Sequence, residues 1–190
     1  GGVNLAALDP EQARCFVSRF GKSGRIVSLD YDAFHLRMLA WLIGYDERMP
    51  FETSFHRHLG QLYLGKENLI QEEYETCKKL TFQVLYQPQG IPKELLDLEF
   101  FAKVKKRKDA LWSAYQQEGQ VHTPFAGRLL VDQDWGWSMT PSKLLSYFLQ
   151  SGGVECVLSA ASLCFDALEN QKSSLVHYLY DSLVFDMHRN

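Results

Sequence analysis

Two periodicities take turns along this chain, and the places where one hands over to the other are its most informative points. GRIVSLD, residues 24–30, reads as a strand ending at Asp30. From Asp32 onward the period changes. Leu36, Leu39 and Ile43 recur at helical spacing, with Met38 and Leu42 beside them. Upstream, residues 1–20 are mixed and read as irregular, ending in a short strand or helix near CFVSRF, with a turn over Gly21–Gly24. Downstream, Pro50 breaks the pattern. Helices are predicted over Thr53–Leu64 and Gln71–Tyr86, QPQGIP is a stop signal, and Glu94–Gln117 reads as one long charged helix. VHTPFAGRLLV reads as a hairpin, and Pro141–Leu168 as an apolar, largely buried helix. The chain closes on a second hairpin, Leu175–Met187, with Asp181 at its tip.

These elements predict an α+β fold: an antiparallel sheet with helices against it, and a helical block between residues 45 and 118. Asp30 ends the first strand and Asp181 caps the last hairpin. In a sheet, such ends can be neighbours however far apart they lie in sequence. Asp and Ser at a hairpin tip are ordinary turn residues, because their side chains bond nearby backbone. Asp181 acquires a second meaning only if another carboxylate meets it.

Composition narrows the classes. The 190 residues suffice for one ordinary domain or two small ones, and 46% apolar content supplies a core. A formal charge of −3 does not advertise a nucleic-acid binder, although a local basic channel is compatible with it. Cys15, Cys77, Cys156 and Cys164 are scattered without a C-x-x-C pair, which argues for reduced thiols in an intracellular protein and against a disulfide framework or zinc site. No segment reads as long and apolar enough to cross a membrane, the N-terminus has no signal-peptide pattern, and there is no internal repeat or low-complexity tract.

Two carboxylates on a rigid sheet can hold two divalent cations. Mg²⁺ takes hard oxygen ligands and commonly uses only one or two protein carboxylates, completing its shell with water and phosphate. Two such ions about 4 Å apart activate an attacking hydroxyl and steady a leaving pyrophosphate; phosphoryl transfer needs little else beyond position and positive charge. A source of that charge lies in YETCKKLTFQVLYQ. Lys78, Phe82 and Tyr86 stand four residues apart and share one helical face, while Cys77, Leu80 and Val84 form a second, packing face. One cation and two aromatics suit a triphosphate and a base. The same pattern also describes a half-buried amphipathic helix with a snorkelling lysine.

The order of three segments resembles the family A DNA polymerases, the group of bacterial DNA polymerase I and related phage replicases. SLDYDAFHLRMLAW resembles the family's first catalytic motif through Asp30, Tyr31, Leu36 and Arg37. KKLTFQVLYQ is similar to its fingers helix through Lys78, Phe82 and Tyr86, and YLYDSLVFD resembles its last motif through Asp181. Weaker similarities fill the gaps in order: NLAALDPEQARCFVSRF before the first motif, Phe55-His56 in the fingers, TPFAGRLL with Gly127 and Arg128, and YFLQSGGVECV with Gln150 at a primer-template contact.

The resemblance implies a palm at residues 1–45 and 119–190 with fingers at 46–118, and a DNA-directed DNA polymerase acting on a primer-template and dNTP. It implies Asp30 and Asp181 as catalytic metal ligands with the Tyr31 carbonyl as a third. The ions would be two Mg²⁺, or Mn²⁺ in their place. Lys78, Phe82, Tyr86, His35 and Tyr31 would bind nucleotide, and Arg128 and Gln150 would bind DNA. No membrane partner is implied. The family's upstream thumb, its frequent exonuclease domain and other replication proteins are expected companions. Without a thumb, the isolated chain is expected to be weakly active or inactive. Gly1-Gly2 reads as a cloning scar, and the chain as a fragment or one piece of a larger protein, acting in the cytoplasm or nucleoid or in an organelle.

The chain departs from the family at four places: His35 stands where glutamate is usual, Tyr180-Asp181-Ser182 where His-Asp-Glu is usual, Tyr74 where an arginine precedes the fingers lysine by one turn, and Gln87 where a glycine follows the tyrosine. The Tyr74 departure implies weaker triphosphate binding unless Lys79 or Arg107 compensates. Two rival classes remain: a single-subunit RNA polymerase relative, which Asp-Ser in the last motif resembles, and a non-catalytic nucleic-acid-binding remnant. Elsewhere, Lys103–Lys108 reads as a solvated charge run or a phosphate contact. His56 and His58 read as structural or exposed, Asp32 and Asp186 as turn and strand-end residues, and Trp135 and Trp137 as packing.

Overall fold

A computed structural model describes residues 9, 11, 14–45, 54–86, 89–131 and 139–189. The expectations for Gln87, Trp135, Trp137 and most of residues 1–13 lie outside them. Among these residues the elements run β1 (Gly24–Asp30), α1 (Phe34–Leu42), α2 (Phe55–Leu64), α3 (Gln71–Tyr86), α4 (Lys93–Leu96), α5 (Glu99–Glu118), β2 (Gln120–His122), β3 (Leu129–Val131), α6 (Pro141–Leu168), β4 (Ser174–Leu179) and β5 (Ser182–His188). The fold is α+β, with antiparallel sheets and packed helices. The chain divides into two compact units, Gly1–Tyr31 with Gly153–Asn190, and Asp32–Gly152. Packing therefore groups α1 and the β2–β3 hairpin with α2–α5, whereas the expected palm and fingers boundaries lie at 45/46 and 118/119.

The first unit is built on a three-stranded antiparallel sheet in the order β1-β5-β4. Its register pairs Leu29 with Leu183, Val27 with Phe185 and Asp30 with Ser182. Strand alternation then sorts the residues onto two faces. Leu183, Phe185, Met187 and Leu175 share a core with Val157, Ala161, Cys164 and Leu168 of α6. Asp30, Ser182, Val184 and Asp186 point to the other face. The CFVSRF stretch is neither strand nor helix. Instead Arg19 and Phe20 fold onto that second face: the Arg19 amide donates to Asp186 Oδ2 (3.1 Å), its guanidinium lies 3.6 Å from the same oxygen, and Phe20 meets His188 edge-on. Asp186 is thus not a strand-end residue. It is 4% exposed in mid-strand and tethers the chain's entry segment.

The second unit is a helical assembly around Leu36 and Leu39 of α1, Phe55 and Leu59 of α2, Val84 and Leu85 of α3, Phe100, Phe101 and Val104 of α5, and Leu144, Leu145, Phe148 and Leu149 of α6. Burying each such side chain is worth about 1.5–3 kcal/mol. Gly60 brings α2 and α3 together: a Cβ there would stand 2.6 Å from Leu69 Cδ1 and 3.1 Å from Cys77 Cβ. Tyr63 of α2 and the fully buried Thr81 of α3 share a hydrogen bond of 2.8 Å, and Thr81 also donates to the Cys77 carbonyl.

Two further expectations need correction. The predicted helix over Glu94–Gln117 is two helices, because Leu98 takes an extended conformation (φ −55°, ψ 134°) and packs its side chain on the core. And one segment is, by length and composition, apolar enough to cross a membrane: α6, whose most apolar 18 residues have a mean hydropathy of 1.3. The physical reason is that α6 contributes a buried stripe to the core of each unit, so apolar residues occupy more than one of its faces.

Candidate functional site

In the first unit, the sheet register places the sequence-predicted metal ligands along one edge. The ladder between β1 and β5 ends at the Asp30–Ser182 pair, and one step further the Tyr31 amide donates to the Asp181 carbonyl at 3.1 Å. Asp30, Tyr31 and Asp181 therefore occupy adjoining positions. Asp30 is exposed and Asp181 half-buried. Burial pushes the Tyr31 phenol above its ordinary pKa, and Cys156 and Cys164 of α6 push it in the same direction.

Tyr180 and Asp181 form the two-residue turn of the β4–β5 hairpin, and Tyr180 has φ 52°. That left-handed conformation is costly for a bulky side chain and is usually given to Gly or Asn in hairpins. The ladders on either side impose it. Ser182 closes the turn by donating its hydroxyl to the Leu179 carbonyl at 3.0 Å. Among the described residues, no three His, Cys, Asp or Glu side chains converge on a metal-sized site. Two carboxylates and a carbonyl are nonetheless a hard-oxygen donor set of the size Mg²⁺ uses.

In the second unit, α3 runs over Gln71–Tyr86 as expected, with Cys77, Thr81, Val84 and Leu85 buried and Phe82 exposed. Tyr74, Lys78, Phe82 and Tyr86 fall on its other face at successive four-residue steps. Burial pushes the Tyr86 phenol above its ordinary pKa. Two residues of α2 border this face. His56 is 4% exposed, its ring lies 5.4 Å from Phe82 and edge-on to Tyr74 at 6.5 Å. Burial lowers its pKa, Lys78 lowers it further, and Asp32 and Glu75 act in the opposite sense. Its Nδ1 is buried with no hydrogen-bond partner among the described residues. Arg57 places its guanidinium carbon 5.4 Å from the centre of the Tyr74 ring and donates to the Leu69 carbonyl at 3.2 Å. His58 is half-buried and bonds the Tyr45 hydroxyl at 3.2 Å, which is a structural role.

The remaining predicted residues lie elsewhere in this unit. His35 is half-buried in the first turn of α1, with its ring 6.3 Å from that of Phe34. Asp32 is paired to Arg37 at 3.1 Å and needs no further role. Arg128 is exposed beside the Gly127 turn, its amide donating to Thr123 Oγ1 at 2.8 Å. Gln150 is exposed on α6 and bonds Ser146 at 3.1 Å. In the charge run of α5, Lys103 pairs with Glu99 and Lys105 with Asp109, while burial lowers the Lys108 ammonium.

The fold is similar to that of a DNA polymerase domain. One solved structure with a similar fold is the POL domain of Pol1 from M. smegmatis in complex with DNA primer-template and dNTP, with a TM-score of 0.76 at 17% identity. The alignment covers 97% of this chain and 38% of that one, so the chain spans well under half the length of the protein it resembles. No sequence-family profile and no curated protein matches the chain.

Proposed function

We propose that this chain is the palm and fingers portion of a template-directed DNA polymerase. It would transfer a nucleotidyl group from dNTP to a primer 3′-hydroxyl and release pyrophosphate. The observation that carries this reading is the Tyr31–Asp181 backbone bond, which extends the β1–β5 ladder past the Asp30–Ser182 pair and sets two carboxylates on one sheet edge. The strained Tyr180 beside Asp181 supports it, because a hairpin selected only as a turn has no use for a bulky residue at positive φ. The likeness to a domain solved with primer-template and dNTP supports the partners.

In this reading Asp30, Asp181 and the Tyr31 carbonyl would hold two Mg²⁺. When bound, those ions would supply charge neutralisation at the reacting phosphate and the leaving pyrophosphate. The chain's own residues do the rest. The antiparallel ladder would hold the backbone that carries the two carboxylates before substrate arrives, which would reduce the ordering left for the moment of reaction. Lys78 meets the triphosphate with a mobile ammonium and supplies a proton to the departing pyrophosphate. Phe82 and Tyr86 give flat apolar surface to base and sugar. Arg128 and Gln150 offer exposed donors to a DNA backbone. The palm is residues 1–45 and 119–190 and the fingers 46–118.

The test is primer extension by the full-length parent protein carrying Asp30→Asn or Asp181→Asn, with circular dichroism of each variant. Loss of extension with an unchanged spectrum is expected. Near-wild-type extension by either variant would overturn the assignment. Running wild type with rNTPs in parallel separates the DNA from the RNA polymerase reading.

A further inference from the structure

The position one turn before Lys78 is Tyr74, a residue with no positive charge to offer a triphosphate. The cation over that position comes from another helix. Arg57, in the first turn of α2, stacks its guanidinium on the Tyr74 ring with 5.4 Å from carbon to ring centre. We propose that Arg57 is a phosphate-binding residue of the α3 face and supplies the guanidinium that the α3 sequence lacks, its ligand being the β/γ end of a nucleoside triphosphate. This rests on the reading of α3 as the nucleotide-binding helix.

Three further observations bear on the same place. His56, next to Arg57, is 96% buried and its Nδ1 lacks a partner among the described residues, so a polar atom there awaits a ligand or water. Lys78 lies close enough to His56 to act on its charge. Arg57 also belongs to the N-terminal turn of a ten-residue helix, whose dipole favours anions. The Tyr74 ring and the Leu69 carbonyl orient the guanidinium, and one bond to Leu69 uses only one of its five N–H donors. An oriented planar fork binds phosphate with less ordering than a loose lysine would. The Gly60 contact sets α2 close enough to α3 for this to work.

A purely structural Arg57, stapling α2 to the start of α3, is the competing account, and the two make different predictions. Titration calorimetry of the chain with sodium tripolyphosphate, with dATP and with deoxyadenosine, each in magnesium buffer, reads phosphate and base recognition separately. Arg57→Ala is expected to weaken tripolyphosphate and dATP by about tenfold or more while leaving deoxyadenosine unchanged. Arg57→Lys is expected to fall between. Arg57→Ala combined with Tyr74→Arg is expected to restore most of the tripolyphosphate affinity by returning a guanidinium to the same face. Wild type that binds dATP, with Arg57→Ala equal to it, overturns the role of Arg57 alone. Equal loss for dATP and deoxyadenosine without rescue assigns Arg57 to structure and also overturns it. Wild type that binds neither tripolyphosphate nor dATP removes the nucleotide reading of α3 and this inference with it.

Discussion

The carboxylate edge of the β-sheet unit and the basic-aromatic face of the helical unit are built by opposite means. The edge is positioned by backbone. Register, a two-residue turn and one N–H···O bond at 3.1 Å set the positions of Asp30, Tyr31 and Asp181. The face is positioned by side-chain packing. Gly60, Thr81 and Tyr63 bring α2 onto α3, and only then do His56 and Arg57 meet Tyr74 and Phe82. A backbone-built site tolerates changes in the side chains around it but depends absolutely on the few that carry charge. A packing-built site loses its geometry whenever the core beneath it changes.

The sharpest way to break the comparison is Asp181→Asn. On the proposed polymerase reading, removing this carboxylate charge from the backbone-built edge is expected to lower incorporation by the parent protein roughly 1,000-fold or more, equivalent to about 4 kcal/mol in the barrier. Its urea midpoint should stay put, because no packing is lost. A large drop in stability instead would mean that Asp181 is a structural turn residue. Leu59→Ala tests the other half. Leu59 is fully buried in the larger core, and its truncation is expected to cost about 2–5 kcal/mol. Nucleotide affinity at the α3 face should fall with it, measured at a temperature where the variant is still folded. An unaltered affinity would show that the face does not depend on the core below it.

His35→Ala sharpens the picture of sugar choice. On the proposed polymerase reading, the His35 imidazole would exclude a ribose 2′-hydroxyl by bulk. Opening that space is expected to raise rNTP use relative to dNTP about tenfold, read as the ratio of kcat/KM values. An unchanged ratio would remove His35 from the gate. The smallest effect expected is on pH. The pKa values of His56 and His58 are lowered, chiefly by burial, below the unfolded value of 6.5. The folded state then binds fewer protons than the unfolded one, so their contribution is present above pH 6.5 and is lost as pH falls below it. Urea unfolding should therefore give a lower free energy at pH 5.5 than at pH 7.5, and His56→Gln should flatten that slope. Glu73, lowered chiefly by its bond to Lys66, contributes above its unfolded value of 4.5 and loses that contribution only as pH falls below it, so the two windows of loss are separable. A slope identical in wild type and His56→Gln would show that His56 is not held neutral by the fold.

How much of this was legible in the sequence depends on how local each feature is. β1, α3 and α6 were readable to the residue, because period, Gly and Pro punctuation and element length are all properties of contiguous chain. The α4–α5 break at Leu98 was not, since it follows from where the leucine packs. The CFVSRF segment reads as an element from its composition, yet it is fixed by a carboxylate far along the chain, Asp186. The sequence by itself determined the α+β class, the strand end at Asp30, the hairpin tip at Asp181 and the four-residue ladder of Lys78, Phe82 and Tyr86. Only the tertiary structure decided that the Tyr31 amide closes onto Asp181, that Tyr180 is strained, that Asp186 is buried, and that Arg57 covers Tyr74. The physical reason is that hydrophobic period and turn chemistry act between near neighbours in sequence. Strand register and helix–helix approach, by contrast, join residues that the chain itself keeps apart.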